Sequence, residues 1–187
     1  MKELMREIEA CNICWQGLPL GPNPVLQVSP KSKIIIVGQA PGIRVHQSGI
    51  PWNDPSGDNL RNWLNVSSEE FYNPDIFGII PMGFCYPGTG KSGDLPPRKE
   101  CARTWHKKLF KQIESPELVL LVGKYAIQYY LKTKENLTET VKNFAQEDSI
   151  YFPLPHPSPR NNIWQKKNPW FKTRVIPNLQ EKIREFI

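Results

Sequence analysis

The sequence Ile34-Ile35-Ile36-Val37-Gly38-Gln39-Ala40-Pro41-Gly42 decides the fold of this chain. Its four consecutive β-branched residues predict a strand that is buried on both faces. Gly38 permits a tight exit from that strand, and Pro41 lacks the N–H that would continue a hydrogen-bonded ladder. Ligands of open parallel sheets bind beside the loops that leave the carboxyl ends of strands. The loop 38–42 is therefore either one wall of an active site or an ordinary turn from strand to helix.

Three further apolar runs predict three more strands, at residues 76–80, 118–122 and 150–154. Apolar residues at helical spacing predict helices at 60–64, 101–113, 125–131 and 176–187. The last of these is expected to bury one face made of Ile176, Leu179, Ile183 and Ile187. Because strands alternate with helices, we expect an α/β fold, a three-layer α/β/α sandwich around a central, mostly parallel, four-stranded sheet.

Shorter signals predict the remaining segments. Residues 1–9 alternate charged and apolar side chains, so residues 1–14 are expected to form a short helix that runs into the segment Cys11–Cys14. Ser67 with Glu70 forms a capping box that starts another helix. The stretches 38–57 and 81–99 are rich in Gly and Pro, so we expect long loops there. Such loops often carry function. The polar stretch 133–148 gives no clear prediction.

Length and composition restrict the class of protein. The chain has 187 residues, of which 39% are hydrophobic, and we expect a single globular domain over 1–187. It contains no apolar run long enough to cross a membrane, and its first residues do not resemble a signal peptide. A cytoplasmic location is the default expectation. The net charge of +6 favours a polyanionic partner without identifying it.

Four cysteines suggest a metal centre. Cys11 and Cys14 form a C-x-x-C pair, whereas Cys85 and Cys101 lie far apart in the sequence. Disulfides are rare in the cytosol, and the second pair lacks the spacing of a zinc ribbon. Four thiolates can hold either zinc or an iron–sulfur cluster. The alternative is four unrelated thiols that are buried for packing.

Two motifs, taken with the cysteines, resemble the uracil-DNA glycosylase superfamily over nearly the whole chain. The first is Gly38-Gln39-Ala40-Pro41-Gly42 with Gly49-Ile50-Pro51-Trp52, and the second is His156-Pro157-Ser158-Pro159-Arg160-Asn161. The first motif and the cysteine order resemble the cluster-containing, thermophile-type enzymes, and the second resembles the single-strand-selective relatives. The resemblance implies a structural 4Fe–4S cluster on Cys11, Cys14, Cys85 and Cys101, with zinc as the alternative.

The resemblance also implies roles in base binding. His156 matches the histidine that donates a hydrogen bond to the departing base, and Trp52 stands where the family has a stacking Phe. The loop residues Gly38, Ala40 and Pro41 are expected to contact the base. Outside their motifs, the histidine would be interpreted as a packed or capping residue and the tryptophan as a core residue.

A DNA contact surface is expected beyond the second motif. Ser158, Pro159, Arg160 and Asn161 resemble the wedge loop that enters a duplex when a base is flipped out. Lys166 and Lys167 follow among aromatic residues, a pattern typical of a groove for the DNA backbone. A solvated loop with a few anchoring aromatics is the alternative.

The sequence departs from the family at two positions. The acid that activates water in the resembled enzymes is replaced by Gln39 and Ala40, so Gln39 is expected to orient a water and Asp54 is the first candidate for a substitute acid. The Asn that reads uracil aligns with Ile80 or Pro81, which leaves the backbone of Gly83 or Phe84 as candidate readers.

The expected function is a DNA repair glycosylase that flips out uracil or another deaminated base and hydrolyses its N-glycosidic bond. Its expected partner is DNA containing a damaged base, with no membrane, and the expected state is a monomer. A relative that binds lesions without cleaving is the alternative, because the acid is missing. A nucleoside or nucleotide hydrolase is disfavoured by the basic charge and by Arg160.

Overall fold

A computed structural model describes residues 1–91, 93–144 and 149–187 and contains a central sheet of four strands. All pairings in this sheet are parallel, and the strand order is β2-β1-β5-β6. The strands are β1 (Ile34–Val37), β2 (Phe77–Ile79), β5 (Leu118–Val122) and β6 (Tyr151–Leu154). The sheet is thus wholly parallel where the sequence predicted a mostly parallel one.

Helices cover both faces of the sheet. They are α1 (Lys2–Glu9), α2 (Ile43–Ser48), α3 (Pro55–Leu64), α4 (Ser68–Phe71), α5 (Lys99–Cys101), α6 (Lys107–Phe110), α7 (Lys124–Leu131), α8 (Leu137–Phe144), α9 (Asn162–Lys167) and α10 (Ile176–Arg184). A π-helical turn at Ala102–His106 joins α5 to α6, and a second one at Phe171–Val175 leads into α10.

The core is divided by the central strand β1, whose side chains alternate between two clusters. Ile34 and Ile36 pack with residues of α3 and α10, and Ile35 and Val37 pack with residues of α1, α6 and α7. All four side chains are fully buried. This confirms the predicted α/β/α sandwich and explains why β1 has no polar position.

The boundaries of several elements differ from the predictions. The N-terminal helix ends at Glu9 instead of reaching residue 14, because the chain turns at Asn12, whose carbonyl accepts from the Trp15 N–H. The C-terminal helix ends at Arg184, so Ile187 is 46% exposed and is not part of the buried face. The capping box of Ser67 and Glu70 is confirmed.

The two predicted loops contain regular structure. Residues 38–57 include all of α2 and the start of α3, and residues 81–99 include a hairpin of two short strands, β3 (Thr89–Gly90) and β4 (Gly93–Asp94). The polar stretch 133–148 contains α8, and residues 145–148 lie outside the described residues. Over the described ranges, no helix has the length and apolar character needed to span a bilayer.

Candidate active site

The first motif lies at the carboxyl end of β1 and is fastened to the chain that leaves β2. The N–H of Met82 donates to the Gly38 carbonyl at 2.9 Å, and the N–H of Gly83 donates to the Gln39 carbonyl at 3.0 Å. Together with Pro41 and Pro81, this loop lines a cavity of about 30 Å³, which has room for a water molecule.

Trp52 forms part of the wall of this cavity. A methyl group added at Gly38 would lie 2.8 Å from Cζ2 of Trp52, so the indole rests directly on the loop. The Trp52 backbone has φ of 57°, a left-handed conformation that a bulky residue rarely adopts. A Cβ at Gly57 would lie 1.7 Å from the Trp52 carbonyl oxygen, so only glycine fits there. The strained backbone of Trp52 and the close approach at Gly57 together direct the indole over Gly38.

His156 lies beside Trp52, on the segment that follows β6. Its ring centroid lies 5.7 Å from that of Trp52, with the ring planes at 36°. The loop is held by two side-chain amides: Asn161 donates to the His156 carbonyl at 2.6 Å, and Asn59 donates to the Pro157 carbonyl at 2.9 Å. The structure therefore brings the two predicted base-binding side chains into contact.

The electrostatic environment of His156 favours a neutral ring. Burial lowers the pKa of His156, and the negative charges of Asp54 and Asp94 partly oppose that effect. A neutral imidazole donates one hydrogen bond without adding a full positive charge to the pocket. It is therefore suited to stabilise an anion that forms during a reaction.

Gln39 and Ala40 bring no carboxylate to the cavity that they line. The Gln39 Nε2 donates to the Leu95 carbonyl at 3.4 Å, which draws the amide toward the hairpin. Asp54 lines the cavity, and its Oδ1 accepts from the Gly57 N–H at 2.8 Å, so this carboxylate also caps α3. Asp94 was not identified from the sequence, yet its charge acts on His156 from the hairpin.

The chain after β2 presents backbone instead of polar side chains to the cavity. Pro81 lines it, and its carbonyl accepts from Nε2 of the buried His106 at 3.0 Å. The Gly83 N–H is engaged with Gln39, and the Phe84 carbonyl accepts from the Val25 N–H at 2.7 Å. The N–H of Gly83 and the carbonyl of Phe84, two of the backbone groups considered as base readers, are therefore occupied by bonds within the protein.

The second motif continues into an exposed turn. Ser158 caps a short 3₁₀ turn at Pro159–Asn161 by accepting from the Arg160 N–H at 3.3 Å. A Cβ at Gly93 would lie 3.0 Å from Nη1 of Arg160, so the guanidinium lies against the hairpin. Lys166 and Lys167 are exposed on α9. Ile163 on the same helix is 68% exposed. Its exposure was not predictable from the sequence, because a single apolar residue in a polar segment forms no pattern.

The four cysteines converge from three separate segments. Cys11 and Cys14 follow α1, Cys85 follows β2, and Cys101 ends α5, and each is a free thiol. Burial, and then the charges of the neighbouring cysteines, raise the pKa of Cys85 to about 11 and that of Cys101 to about 12. The four sulfur atoms are thus electrostatic neighbours.

The four cysteine thiols are chemically suitable ligands for a metal ion or an iron–sulfur cluster. Buried thiols with a high pKa lose their protons only when a positive centre offsets the cost of burying the thiolate charge. In the parts of the chain that the structure describes, however, no three Cys, His, Asp or Glu side chains are spaced to hold a metal ion. The four cysteines therefore lie near one another, but their side chains are not arranged to coordinate a single metal ion.

Comparison with known families gives one match. A family model described as the Uracil DNA glycosylase superfamily matches residues 26–180. The matched region includes both motifs, Cys85 and Cys101, and begins after Cys11 and Cys14.

Proposed function

The chain belongs to the uracil-DNA glycosylase superfamily, and on that premise we propose that it hydrolyses the N-glycosidic bond of uracil or another deaminated base in DNA. The observation that carries the proposal is the contact between Trp52 and His156 above Gly38. It places a flat apolar face beside a neutral hydrogen-bond donor.

In the proposed reaction, the damaged nucleotide leaves the stack and its base enters the pocket by displacing the indole of Trp52 from Gly38. The base then stacks on the indole. The C1′–N bond breaks and its electron pair leaves with the base, while an N–H of His156 donates to the base oxygen on which negative charge develops. A water supplies the hydroxyl that joins C1′, and its second proton is released.

The exposed turn beyond His156 is proposed to hold the DNA. Arg160, with Ser158, Pro159 and Asn161 around it, enters the space left by the flipped base or binds a phosphate. Lys166 and Lys167 bind the phosphates of the flanking backbone. One active site suffices for this reaction, so the proposed enzyme acts as a monomer.

The choice of base is proposed to differ from that of relatives with an Asn at the second strand. Ile80 and Pro81 offer no side-chain donor or acceptor, so only backbone groups can read the base edge there. A pocket of this kind discriminates weakly between deaminated bases. Hypoxanthine and xanthine are therefore candidate substrates beside uracil.

We further propose that Cys11, Cys14, Cys85 and Cys101 hold a 4Fe–4S cluster, as in the thermophile-type enzymes. The convergence of four free thiols supports this proposal. Such a cluster supplies a structural cross-link between the N-terminal segment and the chain after β2. Anaerobic purification should give a brown protein with iron and sulfide in equal amounts. A colourless protein with one zinc ion would show that the four cysteines bind zinc instead of a cluster.

A second candidate function is lesion binding without cleavage. It is favoured by one observation, the replacement of the family's acid by Gln39 and Ala40. A hydrolase for free nucleosides is disfavoured by the net charge of +6.

One assay distinguishes base excision from lesion binding without cleavage. The protein is incubated with single- and double-stranded oligonucleotides that contain uracil, hypoxanthine or xanthine, and abasic sites are then cleaved with alkali. We expect strand breaks at the damaged base, their loss in His156→Ala, and retained DNA binding by that variant. Tight lesion binding without strand breaks in the wild type would instead establish the non-catalytic function.

A further inference from the structure

The hairpin of β3 and β4 brings a carboxylate to the first motif. A Cβ added at Gly42 would lie 3.2 Å from Oδ2 of Asp94, so this oxygen rests against the last residue of the loop. The next residue along the hairpin, Leu95, accepts the hydrogen bond from Gln39 at 3.4 Å. The side chain at the family's acid position thus reaches toward the strand that carries Asp94.

The Asp94 carboxylate is held in a defined orientation. Its Oδ1 accepts from Oγ1 of Thr89 at 3.2 Å across the hairpin, and Thr89 shares a further hydrogen bond of 2.6 Å with the buried Tyr86 hydroxyl. The Leu95 N–H donates to the Gly88 carbonyl at 2.8 Å and closes the hairpin behind it. With Oδ1 engaged by Thr89, Oδ2 is the oxygen that lies toward the loop.

The hairpin is also shaped to lie beside the second motif. Gly93 has φ of 130°, a conformation that only glycine adopts readily, and its missing side chain leaves room for Nη1 of Arg160. Asp94 is therefore flanked by the first motif on one side and by the turn that carries Arg160 on the other. Its negative charge also acts on His156.

Asp54 is the other carboxylate whose charge reaches His156. Its Oδ1, however, caps α3 through the Gly57 N–H, and that bond is part of the local fold. Turning that oxygen toward a water would break the cap of α3. Asp94, in contrast, is bound by the Thr89 hydroxyl on a surface hairpin and caps no helix.

We propose that Asp94 is the carboxylate that positions and activates the attacking water, in place of the acid that the first motif lacks. This inference rests on the proposed glycosylase function. As the C1′–N bond breaks and its electron pair leaves with the base, the water oxygen forms the new bond to C1′. The Asp94 carboxylate accepts one proton of that water and returns it to solvent. Gln39 orients the same water without accepting a proton.

The test compares charge-removing variants in single-turnover excision. Asp94→Asn removes the acceptor and should lower the excision rate by roughly 100-fold or more, the usual range for a general base, with little change in DNA affinity. Asp94→Glu should recover part of that rate. Asp54→Asn preserves the cap, since Asn caps helices as well as Asp does, and should cost less than Asp94→Asn.

Asp75→Asn is the matched control. It makes the same change in net charge at the turn before β2, at the amino end of the parallel strands and away from the motif loops at their carboxyl ends, where Asp75 contacts Ser29. A rate for Asp94→Asn within threefold of the Asp75→Asn rate would overturn the role of Asp94 while leaving the glycosylase function intact. If the wild type excised no base at all, the glycosylase function and this inference would both fall.

A second measurement is independent of turnover. Since the charge of Asp94 raises the pKa of His156, Asp94→Asn should lower the pKa of His156 measured by NMR, and Asp75→Asn should leave it unchanged. An identical His156 titration in wild type and Asp94→Asn would mean that the carboxylate does not face the pocket, and would overturn the proposal.

Discussion

The buried His106 should make the stability of this protein depend on pH. Its ring is only 2% exposed, its Nε2 faces the Pro81 carbonyl at 3.0 Å, and its Nδ1 faces the Tyr130 hydroxyl at 2.7 Å. Because a carbonyl can only accept, Nε2 carries the proton and Nδ1 accepts from Tyr130. The neutral ring is therefore fully paired, and burial lowers the pKa of His106 to about 4.

The size of the effect follows from linkage. The unfolded chain binds a proton at a pKa of about 6.5, whereas the folded chain resists it until about pH 4, so acid favours the unfolded state. The contribution of His106 is fully present above pH 6.5 and is lost as the pH falls toward 4. Between pH 7 and pH 5 it should lower the free energy of unfolding by about 2 kcal/mol.

Urea unfolding followed by tryptophan fluorescence measures this loss. Wild type and His106→Phe are compared at pH 7 and pH 5, so that other titrating groups, His156 included, contribute equally to both proteins. The variant should be less stable at pH 7, because the Pro81 carbonyl and Tyr130 hydroxyl lose their partner. Its free energy of unfolding should nevertheless fall by about 2 kcal/mol less than that of the wild type. Equal falls in the two proteins would refute the assignment of a neutral, proton-resisting His106.

Three further outcomes are expected. Trp52→Ala should lower kcat/KM for damaged DNA in steady-state excision, because the base loses about 1–3 kcal/mol of stacking energy. Trp52→Phe should retain most of the wild-type kcat/KM. Arg160→Ala should slow excision from duplex DNA and spare single strands, because a side chain that fills the space of the flipped base is needed only where a base pair is opened; equal slowing on both substrates would contradict this. Gln39→Glu should raise uracil excision and restore part of the activity of Asp94→Asn in single-turnover assays, and a loss of activity would count against Gln39 as a weak holder of water.

The parallel sheet was predictable from the sequence because its strands are buried on both faces. Runs such as Ile34–Val37 and Leu118–Val122 contain no polar position, and few other structures accommodate such a run between turn residues. Both motif loops could be located for the same reason, since each follows such a strand.

The hairpin and α2 were not predictable in the same way. The strands Thr89–Gly90 and Gly93–Asp94 are two residues long, too short for any alternation of apolar and polar side chains to appear. In Ile43–Ser48, only Val45 is buried, so the segment shows no helical periodicity of apolar residues. The position of Asp94 beside Gly42 therefore depends on tertiary packing that local patterns do not encode, and so does the exposure of Ile163.

The position of β1 in the sheet has a consequence for how the chain is made. Ile34–Val37 lies between β2 and β5, and its partner residues in β5 come about 80 residues later in the sequence. During synthesis, at roughly 5–20 residues per second, one edge of this apolar strand waits several seconds for its neighbour. A nascent chain paused within that interval would expose Ile34–Val37 to pairing with other chains. Slow translation between β1 and β5 should therefore favour aggregation of this protein more than a pause after β6.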